Sequence, residues 1–373
     1  MTTLRSVPIH YLRLLGAAQD KILCGPEKIS IGICSVCNIQ CNYCSYHSPL
    51  SPLCRQHKPA SFLNLKTIKK IVSTAALWGV KQITLSGDGE PTRHPDIAFI
   101  IHAIKEKKLS LNLCTNGTFP SELVPAIAKA DKLYINLCAP DKISYRRLQA
   151  PRSPELFEQI LSNINKISKI SKRYKHPETK IAFIITRENY RLIAKMLGFV
   201  DKLSIHSIRF KLFRSAPGIE NLALTAEDTA VFLKTMTSLI KTSRPLKHNL
   251  AEICDSLTKH ATEQPDCCLT GWHDLFISPH QRVSFCCLNR NLEIGDLRKH
   301  SLRTIWESRK AQIIRLKGKY HFPQFACSAC KTCLWRTEND QRISAIAHIA
   351  TPTTKPTRSN LSLTKKISSA HAS

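Results

Sequence analysis

The chain has 373 residues, 43% of them hydrophobic, enough for one large domain plus a smaller one. No run approaches the ~18 consecutive apolar residues of a membrane span, and the apolar stretch at Leu12 to Ala18 is too short for a secretory signal, so a cytoplasmic protein is expected. A formal net charge of +28 invites a phosphate-bearing partner, but the lysines and arginines are dispersed along every predicted helix, which favours a solvated basic face over a nucleic-acid footprint.

Residues 1–24 read as an N-terminal extension. From residue 25 to 243 short β-branched runs alternate with segments of helical period, the pattern of parallel strands joined by crossover helices. Six strands are predicted, at Lys28 to Cys34, Lys81 to Ser86, Ser110 to Cys114, Lys132 to Cys138, Lys180 to Thr186 and Ser204 to Phe213. Between them Leu65, Ile68, Val72 and Ala75 mark one helix face ending near Gly79, and Ile97, Ile100, Ile101 and Ile104 mark the next, opened by Pro95. A long helix starts at Ser153-Pro154, and another at Thr225, whose hydroxyl and Asp228 form a capping box. A polar linker follows at 244–266. Beyond it Leu275 to Ser278 and Arg282 to Phe285 predict a hairpin, Ser301 to Leu316 one amphipathic helix, and 339–373 a disordered basic tail.

Sixteen cysteines in a chain of this size point to metal binding or redox chemistry when they cluster. Cys37, Cys41 and Cys44 stand at C-x3-C-x2-C spacing just after the first predicted strand. A protein-held iron-sulfur cluster uses four thiolates, so a three-cysteine loop leaves one iron open to a small-molecule ligand. Zinc is the alternative, with His47 or Cys54 as a fourth ligand. A second group runs from Cys267 to Cys333, whereas Cys24, Cys34, Cys54, Cys114, Cys138 and Cys254 are scattered and read as small buried hydrophobes.

The first cysteine loop resembles that of the radical S-adenosylmethionine (radical SAM) family. The resemblance implies a partial (β/α)6 TIM-type barrel over 25–243 and a 4Fe-4S cluster on Cys37, Cys41 and Cys44, with the amino and carboxylate groups of SAM on the open iron. Tyr43 matches the aromatic position near the adenine. Ser86-Gly87-Asp88-Gly89-Glu90-Pro91 resembles the glycine-rich motif that meets the methionine amino group. Thr115-Asn116-Gly117 resembles the TNG turn, and Asn136 stands where a polar residue lies near the ribose, although Asn136-Leu137-Cys138 departs from the family's Ser-x-Asp pattern.

Over 267–338, Cys268, Trp272, the hairpin into Cys286, Ile294-Gly295-Asp296 and Ile305-Trp306 resemble the SPASM/Twitch extension, a small α+β cluster-binding domain. It implies one auxiliary 4Fe-4S cluster on Cys268, Cys286, Cys327 and Cys330, with Cys267, Cys287 and Cys333 as rivals and zinc as an alternative. Gln281 departs from the pattern, standing where a hairpin glycine is usual. The implied activity is reductive cleavage of SAM to a 5'-deoxyadenosyl radical that takes a hydrogen atom from a peptide or protein side chain or a small alcohol. A flavodoxin or ferredoxin would be the reductant. An RNA-modifying radical SAM enzyme, and a non-catalytic zinc protein that binds nucleic acid, are the alternatives. No general acid or base is identified by sequence.

Overall fold

The structure is a computed structural model and describes residues 8–55, 60–151, 153, 155–174, 176–241, 246–259, 267–287, 292–321, 330 and 336–350. The six β-branched runs form β1 (Lys28–Ile31), β2 (Gln82–Leu85), β3 (Ser110–Thr115), β4 (Lys132–Asn136), β5 (Glu178–Ile185) and β6 (Ser207–Leu212). Each pairs in parallel with the next. Parallel strands need cover on the face turned from the barrel interior. Ile29, Ile83, Leu111, Leu133, Ile181 and Ile208 are fully buried there. The Leu65–Leu77 and Ile97–Glu106 helices supply cover through Ile68, Ile71, Val72 and Ala75, and through Ile97, Ile100, Ile101 and Ile104. The array is the expected partial barrel, with strands one to three residues shorter at several ends than the sequence suggests.

The Thr225 and Asp228 capping box forms, each side chain accepting from the other's backbone N–H at 3.2 and 3.1 Å, and it opens the Ala226–Lys241 helix.

The hairpin also forms, as β7 (Asp274–Ile277) and β8 (Arg282–Ser284), with β9 (Glu293–Asp296) beside it. Its strands continue the barrel sheet: β7 pairs in parallel with β1, giving the order β6-β5-β4-β3-β2-β1-β7-β8-β9. Gln281 takes φ of 64° at the hairpin turn, the left-handed conformation that a glycine there would adopt without strain.

Three expectations are corrected. The stretch expected as a linker contains the Leu250–Lys259 helix, and Asn249 ahead of it satisfies the free edge of β6, accepting from Phe210 N at 2.7 Å and donating to Phe210 O at 3.1 Å. The single helix at 301–316 is two, Leu302–Trp306 and Arg309–Tyr320, because the Ser308 hydroxyl accepts from Ala311 N and starts a new helix. Residues placed in a disordered tail begin with the Arg336–Ala350 helix, whose Ile343 and Ile346 pack on Ala17, Leu269 and Trp272. Residues 351–373 lie outside the described part. Among the described residues no helix is long and apolar enough to cross a membrane.

Candidate active site

A cavity of about 360 Å³ opens at the C-terminal ends of the parallel strands. Cys37, Cys41 and Cys44 from the loop after β1 form one wall, and Ser86 to Pro91 from the turn after β2 adjoin it. Thr115, Asn116, Tyr134, Asn136, Ala182, Ile184 and Lys211 carry the lining round through β3 to β6. Every residue that the sequence assigned to the first cluster and to SAM therefore borders one space.

The cysteine loop is held from several sides. Its backbone pairs with the segment after β4, Gln40 N donating to Ala150 O at 3.3 Å and Asn42 N to Leu148 O at 3.1 Å. Asn42 donates to the Glu188 carboxylate at 2.5 Å. Asn38, between the first two cysteines, donates to Thr118 Oγ1 at 2.8 Å and accepts from Asn116 Nδ2 at 2.9 Å. His47 Nε2 lies 2.6 Å from Asp88 O, so this nitrogen already has a partner and is not free to ligate zinc.

The glycine-rich turn is shaped by backbone contact with that loop. A Cβ on Gly89 would stand 2.3 Å from Val36 O and 2.6 Å from Val36 N, and one on Gly87, where φ is 142°, would stand 2.6 Å from Gly32 Cα. Glu90 N donates to Val36 O at 2.8 Å, and the Cys34 thiol donates to Glu90 O at 3.0 Å. Gly89→Ala should thus push the turn off the cysteine loop and cost about 2–3 kcal/mol as an overpacked core site does. Chemical denaturation and iron content after reconstitution would read the loss; a variant matching the parent in both would refute this account of the turn.

Glu90 is 3% exposed and its carboxylate accepts four hydrogen bonds: from Thr92 N and Oγ1 at 3.1 and 2.7 Å, Thr115 Oγ1 at 2.6 Å and Asn116 N at 2.6 Å. Burial raises this carboxyl above the ordinary carboxylate range, against the pull of those bonds. Glu90, Thr115 and Asn116 thus bind one another, a role their motifs did not disclose. The Tyr43 ring is buried and its hydroxyl lies 3.1 Å from Cys138 Sγ, which in turn lies 3.2 Å from Asn136 Oδ1. Cys138 is fully buried, in line with a packing role.

Burial pushes the Cys37 thiol up to about 12 and raises Cys41 and Cys44 as well, with neighbouring thiols adding to the effect. Unloaded, all three stay protonated near neutrality; metal binding would displace the protons and supply the missing positive charge. Three thiols and an adjoining cavity fit a cluster with one open iron; Cys54, the other candidate for a fourth zinc ligand, lies near enough to Cys44 to act on its thiol but does not border the cavity. Among the described residues no three His, Cys, Asp or Glu side chains converge on a single-ion position.

The second cysteine group is partly described. Cys267, Cys268, Cys286, Cys287 and Cys330 are half-buried. Cys268 N donates to Gly318 O at 2.8 Å, and Asn339 ties the start of the segment, accepting from Leu269 N and donating to Cys267 O, both at 2.8 Å. Cys327 and Cys333 lie outside the described residues.

Sequence reasoning passed over Cys114, Tyr134 and Lys211, which line the cavity. The signal was available. Tyr134 sits between Leu133 and Ile135 and Lys211 between Phe210 and Leu212, at alternate positions of their strands, and Cys114 pairs in register with Tyr134, so all three turn to the barrel interior.

Comparison with known proteins agrees with this geometry. Residues 31–200 match the radical SAM superfamily model, and residues 267–334 match that of SPASM, an iron-sulfur cluster-binding domain. A probable GTP 3',8-cyclase of Pyrococcus abyssi is 31% identical over 144 residues, covering 38% of this chain and 44% of that protein. The GTP 3',8-cyclase of Aliarcobacter butzleri is 22% identical over 226 residues, 60% of this chain and 68% of the relative. The chain thus spans less than half the length of the Pyrococcus relative. SuiB of Streptococcus suis superposes with a TM-score of 0.62 at 18% identity, over 82% of this chain and 71% of SuiB. AnSMEcpe with bound AdoMet does so with 0.59 at 16% identity, over 83% and 87%. At such identities these two establish likeness of fold.

Proposed function

Because the chain is a radical SAM protein with a SPASM iron-sulfur domain, we propose that its barrel mouth cleaves S-adenosylmethionine and turns the resulting radical on a bound substrate. The observation that carries this reading is the single cavity walled by Cys37, Cys41 and Cys44 on one side and the Ser86 to Pro91 turn on the next. When bound, a 4Fe-4S cluster on those thiolates with SAM on its open iron supplies one electron to split a carbon-sulfur bond, giving methionine and a 5'-deoxyadenosyl radical that takes a hydrogen atom from substrate.

The protein's part is placement. Asp88 and the backbone of Gly87 and Gly89 are suited to the methionine ammonium, and Asn136 to the ribose. Tyr43 supports the adenine end from its buried position. Glu90, Thr115 and Asn116 fix the walls rather than donate to the ligand. Ile39, Ala182 and Ile184 keep that part of the cavity apolar, which limits water at the reacting centre. Cys268, Cys286, Cys327 and Cys330 are assigned to one auxiliary cluster, with Cys267, Cys287 and Cys333 as alternates. A flavodoxin or ferredoxin is the assigned reductant, and a peptide or protein side chain or a small alcohol the substrate. The crystal structure of SuiB bound to precursor peptide SuiA favours the peptide class.

Anaerobic reconstitution tests the reading. About eight iron and eight sulfide per chain, with reductant-dependent release of 5'-deoxyadenosine from SAM, are expected. Stoichiometric zinc with no cleavage would replace it by the non-catalytic alternative, and a changed nucleotide in RNA after turnover would favour RNA modification.

A further inference from the structure

We propose that Lys211 anchors an anionic group of the substrate, a carboxylate or a phosphate, on the wall of the cavity formed by β4 to β6. The inference rests on the reading of that cavity as the reaction site. Lys211 is half-buried on β6, between Phe210 and Leu212, and pairs in register with Ile184, which lines the same space. Its ammonium lies 6.0 Å from the centre of the Tyr134 ring, and Tyr134 is paired in register with Cys114, so three strands contribute to one polar patch.

The neighbouring cations are already neutralised. Lys180 pairs with Glu178 at 2.9 Å, and Arg209 with Glu252 at 3.3 Å. Among the described residues Lys211 has no ion pair, and the Glu90 carboxylate in the same cavity is taken up by its four donors. A cation held partly out of water without a counter-ion is unfavourable until a ligand supplies one. β6 is the outermost strand of the sheet and β1, which precedes the cysteine loop, lies five strands along from it, yet both ends of that span border the one cavity. A molecule gripped at Lys211 therefore extends from there toward the cysteine loop, which presents its remaining bonds to the radical. The single ammonium suits one anionic group, whereas a planar bidentate clamp would call for arginine.

The test uses the full chain, reconstituted and saturated with SAM. Calorimetric titrations follow inorganic pyrophosphate for the phosphate arm and glutarate for the carboxylate arm, in the parent, Lys211→Met and Lys211→Arg proteins. Iron content and melting temperature serve as controls for folding. One of the two anions should bind the parent, bind Lys211→Met at least about tenfold more weakly, and bind Lys211→Arg within about threefold of the parent, while SAM affinity changes less than about twofold. If neither anion binds the parent, or the methionine variant binds as the parent does, the proposal is wrong. Loss of SAM affinity in Lys211→Met would overturn it by assigning the lysine to SAM's own carboxylate. A parent protein that loads iron yet neither binds nor cleaves SAM would overturn the reading of the cavity itself, and this inference with it.

Discussion

Replacing Cys41 by alanine is expected to abolish SAM cleavage, by at least about a thousandfold, and to halve the reconstituted iron from about eight to about four per chain. Cys41 is the middle thiol of the three and 6% exposed, with its side chain packed into the core beside Tyr43. Among the other described thiols, Cys34 is 2% exposed and committed to Glu90 O, Cys138 is bonded to Tyr43 and Asn136, and Cys114 borders the cavity from β3, outside the loop. Two thiolates cannot hold a cluster that already gives one iron to a small molecule. Cys254→Ala is the control, since this cysteine lies on the Leu250–Lys259 helix away from both cysteine groups; it should keep all its iron. Full iron and undiminished 5'-deoxyadenosine from the Cys41 variant would dismiss the loop as the cluster site.

Glu90→Ala should lower the unfolding free energy by about 3–5 kcal/mol, measured by denaturant titration before reconstitution. The two threonine hydroxyls can turn to other acceptors, but the N–H groups of Thr92 and Asn116 are fixed by the backbone and would be left buried without partners. Glu90→Gln should cost less, because one oxygen remains, though its new amide donor faces groups that are themselves donors. The alanine variant should also take up the first cluster poorly, as the turns after β2 and β3 lose the group that joins them. A loss within about 0.5 kcal/mol, the usual range for surface changes, would mean that the carboxylate faces ligand rather than its four donors.

The barrel was legible because parallel strands buried on one face by helices leave alternation and length in the sequence; every predicted strand is present. Cys37, Cys41 and Cys44 were legible as a candidate set because one short loop brings all three thiols to the same cavity wall. What Glu90, Thr115 and Asn116 do was not, since spacing reveals that motifs end neighbouring strands but not that their polar groups saturate one another. The Leu250–Lys259 helix was hidden by polar composition, its apolar side amounting to Leu250, Ile253, Cys254 and Leu257. The Arg336–Ala350 helix, with few aliphatic residues, depends on the N-terminal helix Ile9–Ala18 for its packing, a contact no local pattern announces.

β1 is enclosed by β2 on one side and by β7 on the other, although β1 begins at Lys28 and β7 only at Asp274. During synthesis the strand that carries the cysteine loop therefore keeps an open edge until most of the chain has left the ribosome. Closing so long a loop is entropically slow. The order of maturation follows: the strand ahead of the Cys37 to Cys44 loop gains its second partner only once β7 has been made, so the sheet beside that loop is completed late.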